Sequence, residues 1–247
     1  MCVVDSPSLI QINKDAKIEM QQLESGDAVA VIDGFLLEPN ELRRYAVDNG
    51  GKFYMPPKSY PGVVFDIDAD PMQDIYRFIR STLADVFSFY RGDARFSSML
   101  SMTTLQPEEL SNLQRLCHSD PPAVRGRRNF AFVLYLFDND QLGGTGFYRW
   151  KEKEAIIEAT ELESTNTDAA LAFLEGRFET YKKPPHYITE SNEIAERLHV
   201  VPAKFNRLVF YSGDIPRSAH IASPELLSND FDGGRLTLNC FASMRPK

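Results

Sequence analysis

The feature that most limits the fold is a series of short β-rich runs in the second half of the chain. They are SSMLSMTTL (97–105), NFAFVLYLF (129–137), TGFYRW (145–150), FNRLVFYSG (205–213) and GRLTLNCFAS (234–243). Gly, Asn and Asp punctuate them, which is the pattern of an antiparallel sandwich or open barrel rather than of a helical bundle. The last run shows why the pattern also bears on function. Side chains alternate along a strand, so Leu236, Leu238 and Cys240 share one face and Arg235, Thr237, Asn239 and Phe241 the other. The first face is core. The second carries polar groups, including a guanidinium, inside an otherwise apolar strand.

The N-terminal part reads as support for these strands. Residues 1–27 are polar, with one edge strand expected over 10–18. AVAVIDGFL (28–36) is a short strand ended by a turn. Glu38-Pro39-Asn40 opens a helix with Leu42, Tyr45 and Ala46 on one face. The proline-rich stretch 54–62 is loop. Pro71 opens a second helix, in which Ile75, Phe78, Ile79, Leu83 and Phe87 recur at helical spacing. Residues 151–199 form a charged insert with a helical stripe of Leu171, Leu174, Phe178 and Tyr181, stopped by Pro184-Pro185. The expected division is a single domain over 1–247, with 1–96 as support and 97–243 as the β core that carries the insert.

Composition removes several function classes. The chain has 247 residues, 35 acidic against 27 basic, and a net charge of −8. That balance argues against nucleic acid or an anionic membrane as the main partner. No apolar run has the length of a membrane span. The three cysteines, Cys2, Cys117 and Cys240, make no disulfide framework. With no export signal in view, a cytoplasmic location is expected.

Few residues can do chemistry. His118 and Asp120 stand two positions apart in LCHSD, so a strand end would aim both at one point; a surface turn before Pro121-Pro122 is the plainer alternative. His220 follows the apolar run 205–213 and a short turn, and could be a third partner or an ordinary hydrogen-bonded histidine. Two histidines and one carboxylate on one face of a metal suit non-haem Fe(II). His186 and His199 read as structural or exposed. Arg235 needs an anion if buried, and no acid in the neighbouring runs offers itself; a bound carboxylate would serve. Tyr135 lies in a very apolar strand, where a phenol seeks a partner.

Taken together, HSD (118–120), FVLYLF (132–137), GGTGFYRW (143–150), PAKFNRLVFYSGDIPRSAH (202–220) and GRLTLNCF (234–241) resemble the 2-oxoglutarate and Fe(II)-dependent dioxygenases, and most of all their prolyl-hydroxylase branch. VIDGFLLEPNELRRYA resembles the strand and helix that precede the barrel there. The resemblance implies a mainly β fold, a double-stranded β-helix (distorted jelly roll) with N-terminal helices on one sheet. It implies His118, Asp120 and His220 as iron ligands, and Arg235 on the distal carboxylate of 2-oxoglutarate. Tyr135 would reach that same carboxylate, and Asn239 would line the pocket. Gly143-Gly144 would form the tight turn before the next barrel strand. The implied cofactors are Fe(II), 2-oxoglutarate and O2. The implied activity is hydroxylation of an amino acid, peptide or protein residue with release of succinate and CO2; Asp120 favours hydroxylation over halogenation.

The substrate is less constrained. Arg125, Arg127, Arg128, Arg149 and Arg217 cluster near the motifs and would attract an anion, or else are solvated surface arginines. The insert is a lid, a substrate groove or a homodimer contact. A non-catalytic jelly-roll binding protein and a cupin-like metal isomerase or hydrolase stay open as alternatives.

Overall fold

The computed structural model describes residues 9–57 and 60–247, so Cys2 lies outside the described residues. The described residues form ten strands: β1 (Lys17–Gln22), β2 (Ala28–Asp33), β3 (Gly62–Ile67), β4 (Phe89–Thr103), β5 (Arg128–Tyr135), β6 (Thr145–Trp150), β7 (Ala195–Val201), β8 (Arg207–Ser212), β9 (Arg217–Ala219) and β10 (Arg235–Pro246). The helices are α1 (Pro39–Asp48), α2 (Gln73–Phe78), α3 (Lys153–Thr165), α4 (Thr167–Arg177) and α5 (Glu179–Lys182).

Seven strands make one antiparallel sheet in the order β1-β2-β8-β5-β10-β4-β3, and three make a second, β7-β6-β9. The fold is mainly β, as expected. Both faces of the large sheet are covered, for a reason visible in its strands. In β5, Phe130, Phe132 and Leu134 alternate with Ala131, Val133 and Tyr135, and all six are buried. The first set, with Leu208, Phe210, Leu236 and Leu238, packs under Leu42 and Ala46 of α1 and under Ile75, Ile79 and Leu83 of α2 and its continuation. The second set, with Val209, Tyr211 and Phe147, fills the space toward the small sheet. Burying aromatic and branched side chains on both faces is the main stabilising term, at about 25 cal/mol per Å² of apolar surface.

Several elements differ from the sequence expectations, each for a physical reason. The edge strand is Lys17–Gln22 rather than 10–18; it is largely exposed, so no burial pattern marks it. Strand β4 starts at Phe89, well before residue 97, because its outer half is polar and exposed. Strand β3 follows the proline-rich loop directly. The helix after Pro71 is α2 running into a wide π turn, Ile79–Leu83. The insert ends in a strand, β7, whose half-exposed AERLHVV gives little apolar signal. In the rest of the insert, Leu174, Phe178 and Tyr181 pack with Ala155, Ala159 and Leu116 as a satellite core.

Candidate functional site

Between the two sheets lies a cavity of about 680 Å³. That is ample for a small organic ligand. Its walls come from the inward face of β10 (Arg235, Thr237, Asn239), from Thr103 and Thr145, and from the segment His118–Asp120. Tyr60, Tyr187, Arg217 and Ile156 of α3 complete it. Buried charge sits at two ends.

At one end Arg235, only 3% exposed, donates from Nε to the Leu142 carbonyl at 3.0 Å. Its Nη2 donates to the Gly144 carbonyl at 3.0 Å and its Nη1 to the Thr103 hydroxyl at 3.2 Å. It also lies over the Phe137 ring, 5.6 Å from the centroid. Among the described residues no carboxylate forms an ion pair with Arg235. β10 puts it there by register: Arg235 pairs with Thr103 of β4, one step from Thr237 opposite Tyr135 of β5. The carbonyl acceptors come from the Gly143-Gly144 turn. Gly143 has φ 81°, and a Cβ on it would lie 1.9 Å from the His220 carbonyl oxygen, so only glycine fits.

Tyr135 stands one layer behind this end. It is fully buried, and its hydroxyl shares a 2.7 Å hydrogen bond with the Thr145 hydroxyl. Burial pushes its pKa up to about 12, so it is a neutral phenol. Thr145, not Tyr135, borders the cavity. Asn239 does line it, and donates to the hydroxyls of Ser101 and Thr237.

At the other end His118 and Asp120 meet Arg217. The His118 N–H donates to the Arg217 carbonyl at 2.9 Å, and the Arg217 N–H donates back at 2.8 Å. Asp120 accepts from the Arg217 guanidinium, and both side chains are nearly closed to solvent, 7% and 5% exposed. Arg217 also donates to the Gly213 carbonyl at 3.0 Å and lies over the Tyr211 ring. A Cβ on Gly213 would fall 2.2 Å from an Asp120 oxygen, so the glycine makes room for the carboxylate. Burial raises the Asp120 carboxyl, against the pull of Arg217. His118 lines the cavity and is exposed there. Desolvation, and then the charge of Arg217, push its imidazole down.

His220 is not in the cavity wall. Its N–H donates to Gly144 O at 3.0 Å, and its ring is half-buried where Arg197 and Glu190 are the charges that act on it. Burial is the larger cause of its lowered pKa. Its Nδ1 is buried without a hydrogen-bond partner among the described residues. The cavity therefore brings together His118, Asp120, Arg235 and Asn239 of the expected residues, and leaves out His220 and, by one layer, Tyr135.

Among the described residues no three His, Cys, Asp or Glu side chains stand as a group able to hold a metal ion. The donor set explains this: the Asp120 carboxylate is taken by Arg217, and His220 does not line the cavity. The residues as placed thus do not fit a three-ligand iron centre. They do fit a small carboxylate, because Arg235 is a buried charge without an anion. The expected arginine cluster dissolves. Arg127 pairs with Asp93 at 3.0 Å, Arg149 with Glu196 at 2.9 Å, Arg128 lies over the Phe130 ring and Arg125 is exposed. Only Arg217 reaches the cavity, and it is occupied. His186 and His199 are structural: the first is bonded to the Pro184 carbonyl at 2.8 Å, the second to the Gln21 side chain at 3.0 Å.

Two antiparallel sheets enclosing a cavity with a buried arginine at each end are what fold and site define. The chain belongs to a family of unknown function, DUF6445, which matches residues 14–242. No curated protein matches it. Among solved structures it is similar to a prolyl 4-hydroxylase of Phytophthora capsici, with TM-score 0.42, 13% identity, and coverage of 87% of this chain and 58% of that one. It is similar to a Pseudomonas putida prolyl-4-hydroxylase, with TM-score 0.41, 13% identity, and coverage of 90% and 95%. The epimerase SnoN, solved with Fe3+, alpha ketoglutarate and nogalamycin RO, gives TM-score 0.43, 12% identity, and coverage of 89% and 82%. No helix among the described residues is long and apolar enough to cross a membrane.

Proposed function

We propose that the cavity binds a small 2-oxo dicarboxylate of the 2-oxoglutarate type, with one carboxylate on Arg235. One observation carries this reading: a guanidinium buried between two sheets that, among the described residues, is bonded only to carbonyls and a hydroxyl. Burying an unpaired charge is costly, and a carboxylate supplies the missing partner through parallel charge-assisted hydrogen bonds. Arg235 has donors beyond the three already engaged. Thr103 and Thr145 border the same end with hydroxyls, and Tyr135 holds Thr145 in place. The ordered motifs that resemble the 2-oxoglutarate dioxygenases agree with this ligand class, since Arg235 is the residue that resemblance assigns to it.

The test is calorimetric titration of the purified chain with 2-oxoglutarate, with and without Fe(II), under anaerobic conditions. One-to-one binding that is lost in Arg235→Met is expected. No binding in either condition would end the proposal.

A second reading, hydroxylation at an iron held by His118, Asp120 and His220, is favoured by the orphaned Nδ1 of His220. Fe(II) would supply oxygen activation in that case. It requires Arg217 to release Asp120 and the His220 ring to turn toward the cavity. Succinate release across free amino acids, proline peptides and candidate proteins decides it; turnover that needs added iron would favour this second reading over plain binding.

A further inference from the structure

Residues 118 and 217 are directly opposite each other, and each accepts the other's N–H. Opposed residues of an antiparallel pair project to the same face. Asp120 lies two positions beyond His118, and its carboxylate is in the hand of Arg217. The small sheet fixes the same parity. Thr145 pairs with Ala219 and Phe147 with Arg217, and all four face the space between the sheets. His220 is out of phase with Arg217 and Ala219, and its N–H continues the ladder to Gly144 on the other side. Position 217, then, is the third corner of the His118–Asp120 site, and an arginine fills it.

We infer that Arg217 is the resident cation of this cavity, standing where a third metal ligand would stand, so that the pocket receives its carboxylate ligand without a divalent metal. This rests on the proposed function and deepens it. Asp120 is a buried carboxylate and needs one positive charge; Arg217 provides it, gives one further donor to the Gly213 carbonyl and lies over the Tyr211 ring. That end is then neutral overall, and the net positive charge of the cavity is left on Arg235. A divalent ion at Asp120 would have to expel a buried guanidinium and would find only one histidine beside it. A monoanionic end of a ligand, by contrast, is attracted to the opposite end with nothing to displace.

The experiment is titration of the wild-type chain with Co(II) alone, followed by its visible spectrum, beside Arg217→His, which puts an imidazole at the third corner and frees Asp120. The wild type is expected to show no one-to-one site. Arg217→His is expected to gain one, and to lose it again when Asp120→Ala is added. A wild-type site that vanishes in both His118→Ala and His220→Ala would overturn the inference. So would an Arg217→His chain that folds, by circular dichroism, yet binds no Co(II). Should that variant not fold, the wild-type titration decides alone. 2-Oxoglutarate binding in EDTA separates the two claims. If metal binds the wild type while 2-oxoglutarate still needs Arg235, only the inference falls. If 2-oxoglutarate never binds, the proposed function falls, and the Co(II) result still settles what Arg217 does.

Discussion

Two buried arginines share one cavity and differ in what balances them. Arg217 has an aspartate; Arg235 has carbonyls and a hydroxyl. A balanced buried pair is a structural commitment, since either partner alone is left as an uncompensated charge. An unbalanced one is a buried charge that a carboxylate ligand would compensate. The same residue type, at similar burial in the same space, is paired with an acid at one end and, among the described residues, with none at the other, which is the end the proposed function assigns to ligand recognition.

The sharpest way to break this contrast is to remove the acid. Asp120→Ala leaves Arg217 buried and alone and is expected to destabilise the chain by about 3–5 kcal/mol. Adding Arg217→Met should restore most of the loss, because an apolar side chain of similar volume needs no counter-charge. Urea midpoints of the two single variants and the double variant measure it. An Asp120→Ala chain of unchanged stability would mean the pair is not the buried unit described here.

Arg235→Met tests the other end and should behave in the opposite way. It removes a charge without a counter-ion, so stability changes less than in Asp120→Ala, with the Leu142 and Gly144 carbonyls losing donors. Affinity for 2-oxoglutarate, in contrast, should fall about 100-fold, or about 2.7 kcal/mol, within the range for truncating one side of a buried charge pair. Calorimetry on a chain of verified fold reads the difference. Equal losses of stability and no loss of affinity would erase the distinction between the two ends.

How much of this was legible in the sequence follows the same line. The apolar faces were, because Leu236, Leu238 and Cys240 alternate with polar residues and only one face of a strand can point at the helices. Arg235 was legible for the converse reason. His118 and Asp120 share a parity and do share a wall. At the third corner a histidine at 220 satisfied the motif, while Arg217 looked like one more surface arginine; it is Arg217, and not His220, that lines the cavity. A signal was present: Ile215, Ala219 and Ile221 are apolar at alternate positions, all but Ala219 nearly fully buried, and residue 217 has their parity while His220 does not. The long polar half of β4 and the charged strand β7 carry no such signal, since register there comes from pairing with neighbours rather than from burial.

Thr145→Val asks whether the Arg235 end is held rigid from behind. The substitution keeps the shape and leaves the fully buried Tyr135 hydroxyl without its partner, at a cost of about 1–3 kcal/mol. Thermal unfolding gives the loss. Rescue by Thr145→Ser, which keeps the hydroxyl, separates the hydrogen bond from the lost methyl group; failure of the serine to help would place the effect in packing.

The smallest expected effect calibrates the others. Arg207 and Asp33 also form an arginine–aspartate pair, joining β8 to β2 through Nε at 2.6 Å and Nη2 at 3.0 Å, with Lys204 adding a third bond at 2.8 Å. Here the side chains are 16% and 30% exposed, against 5% and 7% for Arg217 and Asp120. The hydrogen bond from Arg207, against the opposing effect of partial burial and with further help from Lys204, lowers the Asp33 carboxyl to about 2. Because the folded value lies below the ordinary 3.8, the pair contributes its full stability above that value. The contribution is lost as pH falls from there toward 2. Water screens the pair, so Asp33→Asn should cost only about 0.5–1 kcal/mol at neutral pH. The difference between variant and wild type should close below pH 3 in a series of urea unfolding curves. A loss as large as that of Asp120→Ala would show that pairing alone sets the cost; a loss several times smaller assigns the excess to the exclusion of water from the cavity.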